Sequence, residues 1–277
     1  MRWQAGRFQV DLSIPRLMGI VNITPDSFSD GGRSANTASA LAQCERHLRD
    51  GADILDLGGE SSRPGATSVR LDDELVRLLP VLRGALTLGC PVSIDTNKTE
   101  VMRRVLDMGA DIINDINALR APGAVDVVAA SNSCGVCLMH MQGAPLSMQV
   151  SPVYGDVISE VINFLRERAA LLHTRGVATD RIVCDPGIGF GKSVDNNIEL
   201  LQRQVELLAV GQPLLVGWSR KSTLGVITGR PVDLREGASI AAALVAVKRG
   251  ASIVRVHDVA STADALKVWR VAVMSNG

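Results

Sequence analysis

The segment RIVCDPGIGFGKS, Arg181 to Ser193, joins an apolar run to three closely spaced glycines and a Gly-Lys-Ser. Whether it is a nucleotide loop bears directly on the fold. A phosphate loop of the G-x-x-x-x-G-K-[ST] kind needs its first glycine five residues before the second, where this chain has Pro186, which has no N–H to offer. A dinucleotide turn counted from Gly187 and Gly189 needs a third glycine at position 192, which is Lys192. The segment therefore reads as a buried strand ending in Asp185, followed by a tight connection that needs its glycines for another reason.

Seven similar runs accompany it: LMGIVN (17–22), DILDLG (53–58), PVSID (91–95), DIINDI (111–116), GVCLMH (135–140), PLLVG (213–217) and SIVRVH (252–257). They are continuously apolar rather than alternating, as expected of strands covered on both faces. Between them lie stretches with helical spacing, such as LDDELVRLLPVLRGAL and SEVINFLRERAALLHTRG. Gly51, Gly109, Gly176 and Gly250 each stand just before a strand, where a glycine closes a helix. Eight strand–helix units without a glycine-rich first turn predict a (β/α)8 TIM barrel, an α/β fold, spanning residues 1–277 as one domain. An open, doubly wound sheet is the alternative. The opening MRWQAGRFQVDL is too short for a domain and is expected to form a hairpin closing the barrel floor.

Composition agrees with one large aliphatic core: of 277 residues 46% are hydrophobic and only 3% aromatic. The 29 basic and 29 acidic residues balance, which argues against nucleic acid or an anionic membrane as partner and requires any anion site to be concentrated. No apolar run reaches the roughly 18 residues of a membrane span. The five cysteines, with no secretory leader, suggest a reduced, cytoplasmic protein. Cys134 and Cys137, three apart at the start of a strand, should point to opposite faces and read as buried thiols rather than a redox or zinc pair.

In such a barrel the chemistry sits where strands end. Asn22 ends the first run, and Asp95, Asn114 with Asp115, His140 and Asp185 end the third to the sixth, so these four are expected to bring three carboxylates and an amide to one mouth. Asp95 with Thr96 could instead cap the next helix, and His140 reads as a hydrogen-bonded core histidine. Ser219, Arg220, Lys221 and Ser222 follow the seventh strand, and the eighth carries Arg255 and His257 on one face. This cationic group suits phosphate or pyrophosphate, although Arg255 could equally pair with a barrel carboxylate. The connections after the first two strands, rich in small residues, read as mobile lids.

Taken together, MGIVNITPDSFSDGG, DLGGESSRPGA, SIDTNK, IINDI, LMHMQG, DPGIGFGK, GWSRKS and IVRVHDV, in order from about Leu17 to Val259, closely resemble the dihydropteroate synthases, a pterin-binding family of sulfonamide targets in folate biosynthesis. The resemblance implies a Mg2+-assisted transferase, commonly a homodimer, that joins (7,8-dihydropterin-6-yl)methyl diphosphate to 4-aminobenzoate. Carried over, Asp95, Asn114, Asp185 and Lys221 would hold the pterin, flanked by Met139 and Gly217. Asn22 would bind the metal and the diphosphate, with Ser62, Arg63, Arg255 and His257 completing the anion site. Ser219 and Ser222 would receive the aminobenzoate, packed by Phe28, Pro64 and Phe190. Asp95, Lys221, Arg255 and Asn22 would carry catalysis. The chain departs from the family pattern at Ser62, usually threonine, and at Trp218, expected beside the pterin in place of Met or Phe. A corrinoid-dependent methyltransferase that uses methyltetrahydrofolate would share the pterin carboxylates, and a silent pterin-binding paralogue would share more; the cationic residues argue against the first, and the intact Asn22 and Asp95 against the second.

Overall fold

Each of the eight apolar runs becomes a strand in the computed structural model, which describes residues 1–23, 32–61, 65, 68–143, 148 and 152–274. After a hairpin of β1 (Arg2–Ala5) and β2 (Phe8–Asp11) come β3 (Arg16–Asn22), β4 (Ile54–Gly58), β5 (Val92–Asp95), β6 (Ile112–Asp115), β7 (Gly135–Met139), β8 (Ile182–Asp185), β9 (Leu214–Val216) and β10 (Ala251–Val256). The eight pair in parallel in chain order, and β10 closes onto β3 with Val254 opposite Leu17 and Arg255 opposite Met18. Closure excludes the open sheet. The outer layer consists of α1 (Gly32–Arg49), α2 (Leu71–Ala85), α3 (Thr99–Asp107), α4 (Ala124–Ala130), α5 (Val157–Thr174), α6 (Val194–Gln202), α7 (Gln204–Leu207), α8 (Ser222–Thr228), α9 (Glu236–Lys248) and α10 (Val259–Met274). The rhythm of one helix per strand is varied twice: the one-turn α7 follows α6 after β8, and after β9 Gly229 ends α8 in a left-handed conformation and Pro231 follows. The short α8 is thereby left at the barrel's carboxyl end, and α9 covers the wall. Gly51, Gly109, Gly176 and Gly250 have φ of +104°, +99°, +82° and +92°, as helix-closing glycines require.

The strands look uniformly apolar because both faces are buried, but the two-residue period still sorts them. Leu17, Val21, Leu55, Leu57, Ile94, Val136, Leu138 and Cys184 face outward into one core with the helices. Met18, Ile54, Ile112, Cys137, Val183, Leu215 and Ile253 face inward, where Trp3, Ala5, Val10 and Leu12 of the hairpin complete a second cluster. The hairpin therefore closes the floor, as expected. It is fastened at two points: Trp3 Nε1 donates to Arg181 O at 3.0 Å, and the Asp111 carboxylate accepts Arg7 N, Nε and Nη2 at 3.0–3.1 Å. Burying Trp3 completely contributes on the order of 3 kcal/mol, so the floor is a substantial part of the fold's stability.

Cys134 lies in the outer core and Cys137 in the inner one. They stand on opposite faces of the barrel wall, as their spacing implied, and cannot share an ion. All five cysteines are free and buried, and burial pushes the Cys134 thiol up to about 12. Among the described residues no helix is long and apolar enough to cross a membrane.

Candidate active site

The inward-facing series continues above the floor and changes chemistry. Ile20 and Asn22 of β3, Asp95 of β5, Asn114 of β6, Met139 of β7, Asp185 of β8 and Arg255 of β10 line a cavity of about 670 Å³ at the carboxyl ends of the strands. Gly217, Ser219, Lys221, Ser222, Phe190 and His257, which lie beyond strand ends, complete much of its wall. These thirteen residues are thus brought together. The expectations for Phe28, Ser62, Arg63 and Pro64, and most of both lids, lie outside the described residues.

Three carboxylates do gather around Arg255, but one is not the one expected and lies behind the cavity wall. Asp115 faces away from the mouth: its carboxylate accepts the N–H groups of Asn117 and Leu119, both at 2.7 Å, and holds the turn after β6. Its place is taken by Asp56, fully buried in the middle of β4. Arg255 donates through Nε to Asp56 Oδ2 at 2.6 Å and through Nη2 to Asp95 Oδ2 at 2.8 Å, and Asn114 Nδ2 donates to Asp56 Oδ2 at 3.2 Å. Among the described residues Asp56 Oδ1 has no hydrogen-bond partner. Of the two readings of Arg255, the ion pair with barrel carboxylates is therefore present, on the same cavity wall as His257. Asp95 is no helix cap either, since α3 starts after Lys98 without a side-chain cap.

Electrostatics follow from burial. Asp95 is pushed up to about 7 by burial, against the pull of Arg255 and with repulsion from Asp56 and Asp115. Burial also raises Asp185, opposed by the Gly187 N–H donated to its Oδ1 at 2.7 Å and by Lys221 and Arg255. Lys221 is lowered to about 8, chiefly by burial, with Asp185 favouring its charge and Arg255 opposing it. Burial works against the Arg255 charge as well, yet Asp56 and Asp95 outweigh it and hold the guanidinium ionised.

Chain geometry explains how these groups are aimed. Arg220, at φ +60°, turns the chain after β9 sharply. Arg220 lines the cavity and pairs with Asp258, while Lys221 brings its ammonium 4.1 Å from the centre of the Phe190 ring, an attractive cation–π contact. Lys221 is the residue before α8, so the free N–H groups of that helix open at Ser222 on the cavity wall. Ser219, expected beside the aminobenzoate, also has a second engagement. Its Oγ accepts His257 N–H at 3.1 Å and lies 2.9 Å from His257 Nδ1, fixing that ring.

The glycines of Asp185–Ser193 serve chain packing first. Gly187 has φ +70°, and a Cβ there would stand 1.9 Å from His140 O. Only a glycine permits that approach. Trp218 packs in the outer core, 2% exposed, and not on the cavity wall, because it alternates with the inward-facing Gly217 and Ser219; it bears on packing rather than chemistry. His140 is the buried, hydrogen-bonded residue expected, with Lys192 Nζ 2.9 Å from its Nδ1.

The sequence reading missed Asp56, Lys192 and Arg235. Asp56 stands at an every-other position between Ile54 and Gly58, and counting that parity would have found it. Arg235 lines the cavity from the start of α9 and donates to Arg220 O at 3.2 Å; nothing in its local sequence marks it.

The sequence profile of a family described as pterin binding enzyme matches residues 18–257. Dihydropteroate synthase of Neisseria meningitidis serogroup C is 52% identical over 271 residues, covering 96% of each chain. Among solved structures, Burkholderia cenocepacia dihydropteroate synthase complexed with 7,8-dihydropteroate superposes with a TM-score of 0.90 at 48% identity, covering 99% of this chain and 97% of that one. Xanthomonas albilineans dihydropteroate synthase with 4-aminobenzoic acid gives 0.92 at 46%, covering 98% and 97%.

Proposed function

The chain belongs to the dihydropteroate synthase family of pterin-binding enzymes, and on that premise we propose how its barrel mouth divides the labour of the reaction. The protein is a transferase of folate biosynthesis: it condenses (7,8-dihydropterin-6-yl)methyl diphosphate with 4-aminobenzoate, giving 7,8-dihydropteroate and diphosphate.

Asp95, Asn114, Asp185 and Lys221 hold the pterin, whose amidine edge offers donors to carboxylates and acceptors to an amide and an ammonium; Met139 and Gly217 flank the ring. The observation that carries this assignment is their convergence, with Arg255, on a single cavity. Arg255, His257 and Asn22, with Ser62 and Arg63, take the diphosphate. Ser222 with the α8 amides, Ser219 and Phe190, with Phe28 and Pro64, seat the aminobenzoate. Arg255 binds as a neighbour of Asp95 and Asp56 rather than as an isolated cation, so a diphosphate oxygen meets a guanidinium already held in place.

Mg2+ fits this set of donors. Among the described residues there is no group of three or more His, Cys, Asp or Glu that could hold a metal, and Asn22 offers one hard amide oxygen on the cavity wall. An ion of this kind commonly keeps several waters and takes substrate phosphate oxygens for the rest. When bound, it neutralises charge on the departing diphosphate. Carbon–oxygen cleavage comes first: ionised Asp95 then stabilises the electron-deficient pterin methylene, and Arg255 and His257 stabilise the leaving group. The neutral arylamine attacks that carbon, and the strongly acidic arylammonium so formed gives its proton to the released diphosphate, so no strong protein base is needed; exclusion of water suppresses hydrolysis.

The pKa shifts make a test of this assignment. Asp95 must be ionised and Lys221 protonated, so kcat/KM for the diphosphate ester should fall as pH drops through about 7 and again as it rises through about 8, a narrow bell. A profile flat through neutrality would contradict these roles.

A homodimer and a cytoplasmic location complete the reading. Exposed Val245 on α9 and Val268 and Val273 on α10 supply apolar surface for a second copy, and five free, buried thiols suit a reducing compartment.

A further inference from the structure

Lys192 has no role in the reaction as divided above, yet its surroundings are costly. It is 2% exposed, and among the described residues no carboxylate lies within ion-pairing distance of it. Its ammonium instead meets His140 Nδ1 at 2.9 Å, Gly187 O at 3.0 Å, Phe190 O at 3.1 Å and His140 O at 3.3 Å. A buried charge without an ion-pair partner is disfavoured unless the dipoles around it are well aimed; burial lowers Lys192 to about 7, with the Asp185 charge favouring the ammonium and Lys221 opposing it.

The contacts join two segments that both reach the cavity. His140 follows Met139 at the end of β7. Gly187 and Phe190 belong to the turn after Asp185, whose Oδ1 is tied to Gly187 N. The segments approach so closely that a Gly187 Cβ would collide with His140 O. The His140, Gly187 and Phe190 carbonyl oxygens all lie within 3.3 Å of the one ammonium, whose attraction outweighs their mutual repulsion. The Phe190 carbonyl is one of the oxygens held, while the Phe190 ring lines the cavity under the Lys221 ammonium.

We propose that Lys192 is a positioning residue for arylamine capture: its ammonium is an internal cation that gathers the His140, Gly187 and Phe190 carbonyls and thereby fixes the Phe190 ring as one wall of the aminobenzoate seat. This rests on the proposed reading of the mouth.

The test pairs kinetics with a readout independent of turnover. The enzyme is labelled with 4-fluorophenylalanine at its four phenylalanines, and the Phe190 fluorine resonance is assigned with Phe190→Leu. In Lys192→Ala that resonance should move, and KM for 4-aminobenzoate should rise about tenfold or more while kcat falls by a smaller factor. n-Propylammonium, which replaces the atoms removed, should restore both; propan-1-ol, of the same shape without the charge, should restore neither. Lys192→Met, uncharged and of similar length, should show the same KM increase and serves if the alanine variant does not fold. Parental KM and an unmoved resonance in either folded variant overturn the proposal, as does equal rescue by the alcohol. If the parent enzyme does not turn over 4-aminobenzoate, the reading of the mouth fails instead, and the fluorine resonance with its amine rescue still decides whether Lys192 fixes Phe190.

Discussion

Arg255→Met should lower kcat/KM for the dihydropterin diphosphate by about 10²- to 10³-fold at neutral pH. The loss has two sources. The diphosphate loses a cation held in place before it arrives, and Asp56 and Asp95 lose the guanidinium that spans them at 2.6 and 2.8 Å. Removing one member of a buried ionic group typically costs about 3–5 kcal/mol of stability, because the remaining charge stays unpaired. Here the carboxylates can answer by taking up a proton. Asp95, already at about 7 with Arg255 present, should move higher, so the acid limb of the rate profile shifts to higher pH in the variant.

Stability gives an independent check of sign. A carboxyl group whose folded pKa lies above its unfolded one binds more protons in the folded state, so stability falls as pH rises through the interval between them. Arg255→Met widens that interval. Its loss of melting temperature relative to the parent should therefore be smallest in acid and grow towards alkaline pH. An equal loss at every pH, with an unmoved acid limb, would mean that Arg255 does not govern Asp95.

Asp95→Asn should reduce kcat by about 10²-fold or more with a much smaller effect on pterin affinity. The amide keeps an acceptor for Arg255 Nη2 but brings no negative charge to the methylene carbon in the transition state. Loss confined to kcat marks an interaction made only there, whereas loss of affinity alone would reduce Asp95 to a pterin ligand. Diphosphate release at the parental rate would exclude cation stabilisation by this residue.

The barrel was legible because eight apolar runs separated by helical spacing, four of them preceded by a closing glycine, leave few arrangements open. The mouth was legible where a polar residue stood at or next to a strand end, as Asn22, Asp95 and Asp185 do at the end and Asn114 one residue before it. It was misjudged where parity mattered. Asp115 ends its strand too, but points outward and holds a turn, whereas Asp56 sits inside an apolar run and points inward. Both assignments depend on the register of a closed sheet, which no single segment specifies. Lys192 was noticed only as the residue that spoils a dinucleotide turn. Its role depends on His140, 52 residues earlier in the chain, and on carbonyl groups that carry no side-chain signature. Arg235 reaches the mouth only because the chain breaks into α8 and α9 after β9.

The most direct measurement is the joint yield of the two products. Purified protein is given (7,8-dihydropterin-6-yl)methyl diphosphate and labelled 4-aminobenzoate, with Mg2+ or with a chelator, and dihydropteroate and diphosphate are followed together. The account predicts one diphosphate released for each dihydropteroate formed, a rate that collapses on chelation, and inhibition by a sulfonamide competing with the arylamine. Pterin binding without either product, or diphosphate release that outruns dihydropteroate in the presence of saturating arylamine, would contradict it.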